Sequence, residues 1–548
     1  MYECPNCAAN LKFDIGRQML YCEHCETTID PYSFHKETDA EENSDYQVTV
    51  FTCPQCGGEI ISEDTTAATF CSFCGSSTIL DSRISKEKRP GYIIPFSKTM
   101  KDCKNSYEKM LNHAIFAPKE LKDKNHIEKF RGIYMPYWVY SFENKGAATF
   151  QGSRTRRWGD YLYTKHYKLE SQIDSEYHGI AFDASSTFSD SLSGAIAPFD
   201  TRNGKPFTPS FLSGFYADTS DVDDNLYQEE AQTMVVNDSC RQIKKLKGMS
   251  HYNATSPKHL VSLQNALRPK TVNAELAMFP VWFLSYRKDN RIAYAVVNGQ
   301  TGKAAADLPV DTKKYLIYSL ILTLPLFVLL NLHFTFTPAV SLILSALLAF
   351  VCTIVSNVQL SRIIWKENGT DDIGLQAAQA AQNPDAAPPK TASVQKQSQT
   401  YQRILIRLLP LLLMPFLSLF IGTIVFAAAL SGSSTTLFLS MRIVIAAIIL
   451  IPIIMLLAKK GCRSSHPGQS YISNWKQKLP VLIKPLVGMI LAVVILIVNP
   501  VSDLFYYGGA IICMGMVCWA ILDIIKQHNV LTTRKLPQLN KRGGDELA

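Results

Sequence analysis

Apolar positions are spread unevenly along this chain of 548 residues. From about residue 314 they gather into six runs: Tyr315–Leu332, Val340–Leu360, Ile404–Leu430, Thr435–Ala458, Val481–Val498 and Leu504–Ile525. Each is about 18 to 27 residues long, and a helix of roughly 20 apolar residues crosses a hydrocarbon core of about 30 Å. The pattern predicts an all-α, six-helix transmembrane domain over 314–528, arranged as three hairpins. Their short connections are His333–Ala339, Ser431–Ser434 and Asn499–Asp503. Between the first two hairpins, Gly374–Gln399 is rich in Ala, Gln and Pro, which predicts a flexible cytoplasmic loop over 366–400. A basic tail follows at 529–548.

Before residue 314 the periods are shorter. Residues 90–310 read as an α+β domain. A helical segment is expected near Met100–Ile115, an aromatic strand at Tyr134–Phe142, and further strands in the alternation of Gly159–Ile173. Asp224–Lys247 reads as an amphipathic helix with Leu226, Ala231, Met234, Val235 and Ile243 as its apolar positions. Strand-like runs at Ala277–Tyr286 and Ile292–Val297 flank a turn at Lys288–Asn290, and Asn298–Gly299 suits a second hairpin turn. Pro136-Tyr137-Trp138 and Pro280-Val281-Trp282 echo one another, through either duplication of a βαβ-type half or chance.

The first 82 residues are too poor in apolar groups to fold on a core alone. In residues 1–33 the main ones are Leu11, Phe13, Leu20 and Tyr21. Cysteines supply the alternative. Cys4, Cys7, Cys22 and Cys25 recur as Cys53, Cys56, Cys71 and Cys74, each block reading C-x2-C-x14-C-x2-C. Two such pairs close on one tetrahedral zinc, and a structural zinc adds folding free energy of order 10 kcal/mol. Two small β zinc ribbons are therefore expected, at 1–33 and 50–82, holding two structural zinc ions. A polar stretch, Lys36–Gln47, joins them, and a charged hinge, Arg83–Arg89, leads into the next domain. Cys103, Cys240, Cys352, Cys462, Cys513 and Cys518 show no ligand spacing and read as packing residues.

Charge orients this arrangement. The three short connections carry no Lys or Arg. The other side carries Arg362, Lys366, Lys390, Lys396 and Arg403, then Lys459, Lys460, Arg463, Lys476 and Lys478, and the tail adds five more. The positive-inside rule places both termini in the cytoplasm. Its reducing conditions keep ribbon thiolates available for zinc, and no cleavable signal is expected before Cys4. Arg442 lies about 10 Å inside the outer face at helical rise and could pair with Asp503, although snorkelling is the simpler reading. Asp523, Arg407 and Lys484 fall near inner boundaries and read as interfacial.

Residues 1–313 resemble a bacterial family of membrane-attached proteins with zinc ribbons of the transcription-factor-IIB type. Its members are often labelled primosomal protein N-prime, a replication-restart helicase. Besides the cysteine pairs, the likeness rests on Ile94-Pro95-Phe96, Phe116-Ala117-Pro118, Gly132–Trp138, Phe211–Asp223, Phe279–Trp282 and Val297–Lys303. The resemblance implies ribbons and a membrane anchor but brings no catalytic residues with it. The helicase label fails on the residues. A phosphate loop needs G-x-x-x-x-G-K-[ST], whereas here Val297 stands at the first glycine and Ala304 at the hydroxyl. A hairpin turn accounts for Asn298–Lys303 without a nucleotide.

Residues 1–80 hold three basic residues against thirteen acidic ones. Phosphate backbones are bound chiefly by Lys and Arg, so this pair of ribbons makes a poor nucleic-acid clamp. Arg154, Arg156 and Arg157 beside Trp158 read as a solvated turn in preference to a phosphate or lipid-headgroup site. His113, His126, His166, His178, His251 and His259 are scattered, and no Ser/His/Asp, Cys/His or paired-carboxylate set can be assembled. The expectation is a non-enzymatic membrane protein displaying a docking platform to protein partners, in membrane stress or scaffold recruitment. Its rivals are a membrane tether for nucleic acid and a six-helix transporter or channel regulated by the ribbons.

Overall fold

A computed structural model describes residues 2–34, 45–62, 71–74, 81–123, 127–246, 252, 260–288, 291–333, 337–367, 372–382, 471–532 and 534–535. They fall into two units. The first comprises Met1–Leu308, Gly369–Gln395 and Thr533–Ala548, the second Pro309–Asn368 and Lys396–Thr532.

The first unit opens with a small antiparallel sheet of β1 (Leu11–Asp14), β2 (Met19–Cys22) and β3 (Thr28–Ile29). Leu11 faces Cys22 and Phe13 faces Leu20 across the first pair. Alternate strand positions share a face, so Leu11 and Phe13 are buried while Lys12 is exposed.

A second, mixed sheet has twelve strands among the described residues. They are β4 (Asp45–Thr52), β5 (Glu59–Ile61), β6 (Asp81–Lys88), β7 (Tyr92–Ile93), β8 (Arg131–Trp158) and β9 (Tyr161–Asp183). They continue with β10 (Lys205–Pro206), β11 (Tyr216–Asp218), β12 (Lys270–Lys288), β13 (Arg291–Asn298), β14 (Ala304–Ala306) and β15 (Arg534–Lys535). The main path runs β10-β7-β12-β8-β11-β5-β4-β6, with β9 beside β8 and β13 beside β12. The two Pro-x-Trp sequences lie on β8 and β12, which are antiparallel neighbours with Pro280 opposite Tyr134. That pairing replaces the parallel βαβ half considered from sequence.

The expected hinge is a strand. Arg83–Lys88 lies in β6, which pairs with β4 from Asp45–Lys88 to Thr52–Asp81. β6 ends the sheet path, and an edge strand tolerates the charges that disguised it. Ribbon 2 is thereby built into the large sheet, with β5 continuing onto β11.

Helices α1 (Met100–His113), α2 (Asp190–Ile196), α3 (Gln228–Lys245) and α4 (Leu260–Ala266) pack on this sheet. Thr99 and Asp102 form a reciprocal capping box that starts α1, and Cys103, Tyr107 and Leu111 make its buried stripe. α3 begins four residues later than its pattern predicts, and Met234 is exposed while Ala231, Val235 and Ile243 are buried.

Five of the six segments that carry the likeness, all but Phe116-Ala117-Pro118, meet at one aromatic knot. Phe96 stacks on Phe215 with centroids 4.5 Å apart, and Tyr134 and Trp282 each lie 5.0 Å from it. Gly132 and Gly299 permit this approach, since a Cβ at either would fall 2.6 Å from the ring of Phe215 or Phe96. Within the expected flexible loop, 372–382 is ordered: a short helix, Ile373–Gln382, buries Ile373 beside Trp138, Tyr140 and Tyr227.

The second unit contains α5 (Thr312–His333), α6 (Pro338–Glu367), α7 (Tyr471–Val498) and α8 (Asp503–Thr532). These fall on four of the six predicted spans. Two of them are long and apolar enough to cross a membrane, over Pro338–Leu360 and Asp503–Val530, and Ile483–Val498 adds a shorter apolar helix. The six-helix expectation thus reduces to two candidate spans among the described residues, and the predicted runs 404–430 and 435–458 lie outside them. Leu342, Ala346 and Ala349 of α6 pack with Met489 and Ala492 of α7 and with Cys513 and Val517 of α8.

Candidate metal centres

Each cysteine block folds into two knuckles. In the first, the Ala8 amide donates to the Cys4 carbonyl at 2.8 Å, and in the second Glu26 does the same to Cys22 at 2.9 Å. Ribbon 2 repeats the turn, with Gly57 donating to Cys53 at 2.8 Å. The residue after the second cysteine is left-handed each time, with φ of 57° at Ala8, 60° at Glu26 and 70° at Gly57. Ala8 and Glu26 hold a conformation disfavoured for L-residues by about 1–2 kcal/mol, a strain that marks a functional turn.

The knuckles bring four sulfurs together in each ribbon, all within 4.8 Å of one another. Tetrahedral zinc with bonds of about 2.3 Å sets sulfurs about 3.8 Å apart. In ribbon 2, Cys53–Cys74 and Cys56–Cys71 are 3.8 and 3.7 Å apart, and the corresponding pairs in ribbon 1 are both 3.4 Å. All eight predicted ligands are therefore in place, and both clusters can hold a metal ion of zinc's size and softness. The sulfurs of ribbon 2 also perturb one another: Cys53 accepts from its three partners and its thiol falls far below the usual range, while those of Cys56 and Cys71 rise. Four adjacent thiolates repel, and a divalent cation resolves that conflict.

The surroundings differ. All four sulfurs of ribbon 2 are buried, walled by Phe51, Ile60 and Phe73. The Tyr294 hydroxyl donates to the Phe73 carbonyl at 2.8 Å. In ribbon 1, Cys7 and Cys25 are only half-buried, and exposed Glu3, Glu23 and Glu26 stand beside the ligands in sequence. The Thr27 hydroxyl, 3.1 Å from Cys25 Sγ, holds that thiol down to about 6, aided by the Thr27 amide. The inner face of ribbon 1 is tied to the segment between β10 and β11: Phe13 donates to the Ser213 carbonyl at 3.0 Å and meets the Phe211 ring at 5.2 Å.

The other candidates are dispersed. Asn298–Lys303 is a hairpin turn whose Gln300 and Thr301 amides are taken by Asn298 Oδ1, each at 2.9 Å. Arg154, Arg156, Arg157 and Trp158 lie at the end of the β8–β9 hairpin. Lys484 and Asp523, both read as interfacial, pair at 2.6 Å. Arg407, Arg442 and Cys462 lie outside the described residues, as do His126, His251 and His259. His178 meets Ser141 at 3.2 Å. Cys103, Cys240, Cys352 and Cys513 are buried as expected of packing residues, whereas Cys518 is exposed.

One constellation escaped the sequence. Asp183 and Asp372 are buried, and burial followed by the nearness of Asp190 and Asp372 pushes the Asp183 carboxyl well above its usual range. Asp190 accepts from the Tyr227 hydroxyl at 2.6 Å and the Ile373 amide at 2.8 Å. The carboxylates sit 183 to 372 along the chain, and only the density of Asp, Ser and Thr in Asp183–Asp190 and Asp218–Asp224 hints at them.

No family model matches the chain, and no solved structure matches it. It is similar to the uncharacterized protein YdjG of Bacillus subtilis (strain 168), 27% identical over 318 residues, which is 57% of this chain and 91% of that relative.

Proposed function

We propose that this protein is a non-enzymatic, multi-pass membrane protein of the transcription-factor-IIB-type zinc-ribbon family. On this reading both termini are cytoplasmic, and the ribbons with the mixed-sheet unit form a docking platform for a partner protein. The observation that carries it is the contrast between the two sides of ribbon 1. Its inner side is bonded to the segment between β10 and β11, while two of its ligands, Cys7 and Cys25, are half-exposed near Glu3, Glu23 and Glu26 in sequence. A zinc tetrathiolate adds about two further negative charges there. The basic residues nearby are engaged locally: Lys12 Nζ lies 3.3 Å from Glu23, and Arg17 stacks over Tyr21 at 4.2 Å. Such a surface is complementary to a basic protein patch and repels phosphate backbones.

The test is cross-linking mass spectrometry in intact cells on the native chain and on Glu23→Lys with Glu26→Lys. Ribbon 1 should link to one recurrent partner in the first and lose that partner in the second, with zinc content unchanged. An identical set of linked partners in both chains would remove this reading.

A further inference from the structure

The β8–β9 hairpin runs well beyond the body of its unit. Every residue from Arg154 to His166 is exposed, on both faces of a two-stranded ribbon. Such a ribbon is marginally stable in water by itself, and its exposed groups are not those of a solvated turn. Trp158 is 75% exposed, Tyr161 72%, Leu162 71% and Tyr163 58%. Gly159, at φ 60°, makes the tight reversal, and all four apolar groups lie within four residues of it.

The register sorts the side chains. Directly paired residues share a face with the pairs two positions away. One face therefore carries Trp158 with Tyr161, Arg156 with Tyr163 and Arg154 with Lys165. The other carries Arg157 with Leu162 and then Thr155 with Thr164, whose hydroxyls are 3.1 Å apart. Residues 151–169 contain five basic residues and one acid, Asp160 in the turn.

We propose that this hairpin tip is a membrane-surface probe that inserts into a bilayer containing anionic lipid. The order of groups along the ribbon matches the depth profile of a leaflet. Directly behind the turn residues Gly159 and Asp160 come the aromatic and aliphatic groups, at the level interfacial Trp and Tyr take in membrane proteins. Cations follow: at about 3.3 Å per residue, Arg154 trails Trp158 by roughly 13 Å. The headgroup layer is about 5–8 Å deep on each side. With Trp158, Tyr161 and Leu162 at the acyl boundary, Arg156 and Arg157 lie among the phosphates. Arg154, Lys165 and Lys168 then lie above an anionic surface, within its electrostatic reach. A ribbon reading a nucleic-acid groove would instead lead with base-contacting or cationic groups, whereas the turn here carries the acid Asp160 between two bulky apolar rings. This inference is independent of protein docking at ribbon 1.

The test uses the full chain reconstituted in vesicles of phosphatidylcholine alone or with roughly one-third phosphatidylglycerol. Trypsin cleavage after Arg154, Arg156, Arg157 and Lys165 is followed by mass spectrometry. Cleavage should slow about tenfold in the anionic vesicles, and concentrated salt should restore it. Trp158→Ala with Leu162→Ala should abolish the protection. Fluorescence of the chain minus that of Trp158→Phe isolates Trp158 among the six tryptophans. That difference signal should be quenched by brominated lipid in the anionic vesicles alone. Equal cleavage in both vesicle types, or protection by duplex DNA with none from phosphatidylglycerol, would overturn the proposal. Carbonate extraction reports on the spanning helices separately, so failure of either reading is distinguishable from failure of the other.

Discussion

Two cysteine blocks of identical spacing have become two different objects. Ribbon 1 keeps its own three-stranded sheet, yet Cys4, Leu11, Phe13, Leu20 and Cys22 are buried in the main core of the unit. Ribbon 2 has no separate sheet: β4 and β5, which flank its first knuckle, belong to the twelve-stranded sheet, and its sulfurs are wholly buried. Ligand spacing therefore specifies the knuckle, while the surrounding chain decides how the site is built in: a separate sheet packed into the main core for ribbon 1, strands of the large sheet around a small apolar cluster of its own for ribbon 2. Two ligands of ribbon 1 remain half-exposed, whereas all four of ribbon 2 are buried.

The sharpest way to break this comparison is to remove one ligand from each. A structural zinc contributes on the order of 10 kcal/mol, comparable to the whole stability of a domain at about 5–15 kcal/mol. In ribbon 2 that loss falls on strands continuous with β11 and β6. Cys71→Ser should therefore abolish cooperative unfolding of the mixed-sheet unit and expose it to protease. Cys22→Ser should lower zinc content from two ions to one while leaving the protease-resistant sheet intact. Equal collapse in both variants, read by limited proteolysis with metal analysis, would mean that ribbon 1 is as integral as ribbon 2.

A smaller effect is expected where ribbon 1 meets the sheet. Phe13 is buried against Phe211, and truncating a buried Phe costs about 3–5 kcal/mol. Phe13→Ala should loosen the ribbon but spare its ligands, since the bond from the residue-13 amide to Ser213 remains available. A chromogenic chelator should then remove one zinc on the order of a hundredfold faster or more than from the native chain, with the other unchanged. Acceleration of both ions would show that the contact supports the whole unit.

What the sequence made legible follows from how local the governing physics is. Zinc knuckles need four cysteines within about 22 positions, and α1 announces itself through Thr99, Asp102 and a buried stripe four residues apart. The family segments were recognisable too, yet in the structure their role is packing. Phe96, Gly132, Tyr134, Phe215, Trp282 and Gly299 build one aromatic knot. That is why the likeness names relatives and no chemistry. The misread pieces depend on distant partners. Arg83–Lys88 looks like a hinge until β4 lies beside it, and Ile373 is one apolar residue in a polar tract until Trp138 and Tyr227 cover it. The Asp183–Asp190–Asp372 cluster is assembled across the whole unit, so no window of sequence contains it.

The finest difference between the ribbons lies in one hydroxyl. Thr27 donates to Cys25 and holds its thiol down to about 6, against an ordinary thiol near 8.5. A depressed folded value contributes stability above the unfolded value that disappears as pH falls through about 6, while Cys7 of the same cluster, its thiol pushed up to about 12, contributes in the opposite sense. Zinc competes with protons for the sulfurs, and solvent reaches the half-buried Cys7 and Cys25 but not the buried sulfurs of ribbon 2, so on access alone ribbon 1 should release its ion on acidification before ribbon 2. Thr27→Val keeps the side-chain volume and deletes the donor. It should move the midpoint of proton-driven zinc release from ribbon 1 upward, on the order of half a pH unit, because the metal supplies most of the thiolate's stabilisation. Zinc release followed against pH by a fluorescent indicator would show two steps in the native chain, with only the first displaced in the variant. A single step, or displacement of both, would mean that the two centres share one protonation equilibrium and that their difference in burial has no chemical consequence.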